Sequence, residues 1–68
     1  MTRIPDTTTA RAAYIAATDA REAAFAAYRE NPTPATFTAH RDAFDAMREA
    51  LRVYDLAQRA AALSGGAA

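Results

Sequence analysis

Two prolines one residue apart, in Asn31-Pro32-Thr33-Pro34, separate two long runs rich in helix-forming residues. A proline holds the residue before it away from the helical region and is itself well placed only at the first position of a helix. Asn31 is therefore expected to close one helix near Glu30, and Thr33 to cap another that starts at Pro34. Upstream, Asp6 is the expected N-cap of the first helix, with Thr7 a close competitor. Downstream, nothing breaks the pattern before Ser64-Gly65-Gly66.

The punctuation predicts an N-terminal tail over 1–5, a helical hairpin over 6–63 and a flexible C-terminal tail over 64–68. Within the hairpin the expected parts are helix 7–30, turn 31–33 and helix 34–63. No β-branched alternation competes, and Ala, Arg, Glu, Leu and Met all favour helix. The predicted class is all-α: a two-helix antiparallel hairpin that dimerises into a four-helix bundle, since so short a connection forces neighbouring arms to run in opposite directions.

The step from hairpin to dimer rests on size. A chain of 68 residues buries a modest fraction of its surface and ordinarily needs a disulfide, a metal or a partner. Cysteine is absent and His40 is the only histidine. A homodimer or higher homo-oligomer is the expected source of further burial, with another helical protein as the alternative partner.

Side-chain size then divides the arms. At about 100° per residue, Phe37, His40, Phe44, Met47, Leu51 and Tyr54 form one stripe of the second helix, with Ala43, Ala50 and Ala61 beside it. The same spacing on the first helix selects Ala10, Ala13, Ala17, Ala20, Ala24 and Ala27. The expectation is a bulky seam packed into an alanine groove, the small residues allowing a close approach of the axes. Ala12, Ala16, Ala23 and Ala26 widen the alanine surface beyond what one neighbour covers, and Val53, Leu56 and Leu63 make a second stripe. Self-association is expected through these alanines and that stripe.

Charge and motifs exclude more than they select. Eight arginines balance eight acids, so no overall field draws polyanions or anionic membranes. The absence of lysine and the 21 alanines suggest a GC-rich bacterial or phage genome. No stretch approaches a membrane span, the opening residues lack a signal peptide's apolar core, and the expected location is cytoplasmic. There is no phosphate-binding glycine loop and no nucleophile elbow, and Ser64 is the only serine. Thr36 or Phe37 stands where a Glu-x-x-His metal pattern would need its glutamate before His40. No catalytic residue, cofactor or metal is expected, and the reading is of a non-enzymatic protein-protein interaction or assembly module.

One stripe offers a different class of function. Arg11, Tyr14, Arg21, Phe25, Tyr28 and Arg29 share one side of the first helix. Arginines interleaved with rings are what proteins use to hold unpaired nucleotides, by charge and stacking. A small dimeric RNA- or DNA-binding regulator is the alternative expectation, and a subunit of a heteromeric helical assembly is the third. Dimers of helical hairpins include a small RNA-binding regulator of plasmid copy number, an analogy of architecture alone.

Overall fold

The computed structural model describes residues 5–66, and those residues form two helices, α1 (Thr7–Glu30) and α2 (Pro34–Gly66). The chain is all-α, and none of the described residues is in a strand.

Both helix starts are built by side chains. Asp6 is the N-cap of α1, where a carboxylate oxygen accepts from the Thr9 amide at 2.7 Å. That bond favours the charged form and holds the Asp6 carboxyl below the ordinary aspartate range. Asn31 closes α1, its amide donating to the Ala27 carbonyl at 3.0 Å. At the start of α2 two threonines bind each other's backbone. The Thr36 amide donates to Thr33 Oγ1 at 3.1 Å, and the Thr33 amide donates to Thr36 Oγ1 at 2.9 Å. This has the reciprocal form of a capping box, with threonine in the place usually taken by glutamate. Thr36 Oγ1 also reaches back 2.7 Å to the Asn31 carbonyl, tying the end of α1 to the start of α2.

The far end of α2 differs from the expected stop. The helix continues through Ser64, Gly65 and Gly66, three residues assigned above to the flexible tail. None of the described glycines has a positive φ, so no left-handed cap forms there and the amide ladder carries on. The rest of that tail, 67–68, and residues 1–4 of the N-terminal tail lie outside the described residues.

The helices meet at levels that rise along one as they fall along the other. The Thr7 hydroxyl lies 3.5 Å from the Ala57 carbonyl, Tyr14 stacks on Tyr54, Phe25 meets His40 and Tyr28 meets Phe37. Buried and half-buried positions on α1 step by three and four through Thr7, Ala10, Tyr14, Ala17, Arg21, Ala24 and Tyr28. On α2 they pass through Thr36, His40, Ala43, Met47, Ala50, Tyr54 and Ala57. This is a heptad seam on both sides.

That seam corrects the division into a bulky arm and an alanine arm, because each helix alternates large and small. Ala10, Ala17 and Ala24 lie in it, whereas Ala13, Ala20 and Ala27 are exposed on its flank. His40, Met47 and Tyr54 lie in it, whereas Phe37, Phe44 and Leu51 stand beside it, 50%, 39% and 45% exposed. The physical reason is area. Turning α1 by one heptad position exchanges the methyls of Ala13 and Ala27 for the rings of Tyr14 and Tyr28, which bury far more apolar surface.

A candidate association surface

A two-helix layer has two broad faces, and this one measures 53 × 21 × 12 Å. Among the described residues the fully buried core consists of Ala10 and Ala57. Everything larger keeps part of its surface in solvent, so the features that distinguish this chain lie on the faces.

One face gathers the bulky residues. Phe25 follows the seam residue Ala24, while Phe37, Phe44 and Leu51 follow Thr36, Ala43 and Ala50, which places all four on the same side of the layer. Ile15 extends that side along α1. Five large apolar residues, each between 39% and 50% exposed, are thus brought to a single face. The Arg29 guanidinium lies 5.7 Å from the Phe25 ring centroid, in cation–π range. Tyr28 links this face to the seam, packing at 5.8 Å on Phe37 and stacking at 6.2 Å on His40.

The opposite face is nearly smooth. Ala13, Ala20 and Ala27 flank α1 there, and Ala39, Ala46, Val53 and Ala60 occupy the matching flank of α2. Val53 and Leu56 are half-buried, while Leu63 is 78% exposed, on the stretch of α2 past the level of Thr7. The residues expected to mediate self-association are therefore split between the seam, this smooth flank and the far end of α2.

The arginine and aromatic stripe is split as well. Tyr14, Arg21 and Tyr28 are half-buried in the seam, and Tyr14 faces Tyr54 at 6.0 Å between ring centroids. Arg11, Phe25 and Arg29 remain exposed, on the phenylalanine face. Sequence reasoning left Phe37 and Phe44 out of that group because it placed them inside the hairpin. Their three-and-four spacing with His40 and Met47 carried no mark of which members flank the contact.

Ion pairs lie along the outer surface of α2. Arg52 grips Glu49 through two contacts of 2.6 and 3.1 Å, lowering the Glu49 pKa and raising that of Arg52. Arg59 meets Asp55 at 3.1 Å, and Arg41 only just reaches Asp42 at 4.0 Å. Among the described residues no carboxylate lies within 4.0 Å of Arg11, Arg21, Arg29 or Arg48, and no cation within that distance of Glu22. Next to the phenylalanine face, Arg48, Leu51, Arg52 and Asp55 border an open depression. Among the described residues no group of three or more metal-ligating side chains converges, and no helix is long and apolar enough to cross a membrane.

No protein-family model matches this chain, and neither a curated protein nor a solved structure is detectably similar to it. The functional reading therefore rests on the faces themselves.

Proposed function

We propose that this chain is a non-enzymatic helical association module, an antiparallel hairpin that completes its core by packing against a second copy as a four-helix bundle. One observation carries the reading: a layer 12 Å thick, with only two alanines fully buried among the described residues, leaves five large apolar side chains exposed on one face. A folded monomer of this kind would present water with a contiguous apolar surface of the sort that marks interaction sites. Pairing removes it and supplies the burial that a chain this short lacks. The cytoplasm of a GC-rich bacterium, or of the bacterial host of a phage, is the setting we infer, on composition alone.

Sedimentation across a concentration series tests this directly. At tens of micromolar the expected mass is twice 7.3 kDa or a higher multiple, with a melting midpoint that rises with protein concentration. A fully helical 7.3 kDa species at every concentration would overturn the reading.

A second reading, binding of unpaired RNA or DNA, is favoured by the exposed Phe25 ring with Arg29 above it and by Arg11, Arg41 and Arg48 around the same face. Its signature is association with a labelled single-stranded oligonucleotide that weakens steeply as salt rises. The third, a subunit of a mixed helical assembly, would show as a marginally stable monomer that gains helicity only with a different chain.

A further inference from the structure

Resting on the self-association just proposed, we infer that the second copy docks on the phenylalanine face, with α1 of each chain lying across α2 of the other about a two-fold axis parallel to the helices. The smooth alanine flank then forms the outside of the bundle.

Area supports the choice of face. Over the paired length of α1, 24 residues or about 36 Å, a face 21 Å wide encloses about 760 Å², close to the roughly 800 Å² per partner of a standard stable interface. Interface cores are enriched in aromatic residues, and the phenylalanine face holds Phe25, Phe37 and Phe44 together with Ile15 and Leu51. The alanine flank offers mostly methyl groups to the same contact.

Charge selects the axis. Thr7 reaches Ala57 and Tyr14 stacks on Tyr54, so Arg11, between them on α1, stands at the level of Asp55. Glu22, between Tyr14 and Phe25, stands near the level of Phe44, with Arg41 and Arg48 one turn to either side. A two-fold axis parallel to the helices keeps those levels while exchanging the helices. It brings Arg11 to the partner's Asp55, Glu22 to the partner's Arg41 and the partner's Arg48, and Ile15 to the partner's Leu51. Among the described residues of their own chain, Arg11, Glu22 and Arg48 have no opposite charge within 4.0 Å, so each gains a counter-ion, Asp55 being shared with Arg59.

The other two-fold axis, perpendicular to the helices and in the plane of the face, would lay α2 on its own copy. Arg48, close to the middle of the paired length, would then approach its own mate, and Glu22 would face Ile15. Like charges at a contact disfavour that register.

The test uses the intact chain and reads sedimentation mass beside helicity by circular dichroism. Phe44→Asp is expected to raise the dissociation constant at least ~100-fold, as for a truncated hot spot, with Leu51→Glu as the second variant should the first lose helicity. Ala20→Asp, on the opposite flank, is expected to change it by less than about threefold, as for substitutions away from the interface. Arg11→Glu should weaken pairing about tenfold, the scale of a close interfacial charge pair, and adding Asp55→Arg should restore it. If Ala20→Asp abolishes pairing and Phe44→Asp leaves it intact, the docking face is wrong and self-association still stands. If Phe44→Asp acts as expected but the charge exchange gives no recovery, the register is wrong. A wild-type chain that never pairs overturns the underlying association itself.

Discussion

Tyr14 and Tyr54 stack across the two helices with their planes 24° apart and their centroids separated by 6.0 Å. The pair stands toward the open end of the layer, far from the turn, where the principal restraint on separation of the helices is side-chain contact. Both rings are half-buried. Truncating either therefore removes the largest apolar contact beside the small buried residues Ala10 and Ala57. Tyr54→Ala is expected to destabilise the fold by about 2 kcal/mol, toward the low side of large aromatic truncations because burial is partial. Urea denaturation followed by circular dichroism at fixed concentration checks the value.

The threonine box at the turn makes a sharper prediction. Thr36 Oγ1 accepts from the Thr33 amide and lies 2.7 Å from the Asn31 carbonyl, so one hydroxyl serves both sides of the connection. Its only proton is best used on the Asn31 carbonyl, the shortest of its contacts. Thr36→Val keeps the shape and removes these bonds, and should cost about 1–2 kcal/mol. Thr33→Val should cost a similar amount, and the double variant less than the sum, because each residue completes the other's bonds. A double-mutant cycle measured by denaturation reads this coupling.

Asp6 gives the fold a defined response to acid. Its carboxylate accepts from the Thr9 amide, and that bond lowers its pKa in the folded chain. A depressed folded pKa means that the contribution is fully present above the unfolded value near 3.9 and is lost as pH falls through the folded value. Asp6→Ala should accordingly lower the melting midpoint at neutral pH and have progressively less effect in strong acid. An unchanged difference between wild type and variant down to about pH 2 would show that the cap does not act through its charge.

The two helices and their punctuation were legible from Asp6, Asn31-Pro32 and Thr33-Pro34, because caps and prolines act through local stereochemistry. Facing was less legible. On α1 the alanines repeat so densely that stripes one position apart, through Ala13 and Ala20 or through Tyr14 and Arg21, both satisfy heptad spacing. Only the partner helix decides between them, by the ring area that one rotation buries. On α2 the same ambiguity joined Phe37, Phe44 and Leu51 to His40, Met47 and Tyr54 as one stripe, and packing against α1 divides it into seam and face. The continuation of α2 past Ser64 had no local signal, since glycine marks a helix end only when it adopts the left-handed conformation.

Arg21 supplies the last test, because it is the seam residue least suited to its place. It stands at a position equivalent to Tyr14 and Tyr28, half-buried, and its Nε is buried without a hydrogen-bond partner. No carboxylate lies within 4.0 Å of it among the described residues. Leaving a polar donor desolvated and unpaired costs free energy that a similarly shaped apolar side chain avoids. Arg21→Met keeps the length and flexibility of the side chain while removing the charge. It is expected to stabilise the chain by about 1 kcal/mol, equivalent to roughly 4–8 °C for a domain of this size. The check is a thermal melt at one fixed concentration, paired with sedimentation so that a change in association is not mistaken for a change in the seam. A clear loss of stability would mean that Arg21 has an acceptor in the assembled protein, and the partner chain would then be the place to look for it.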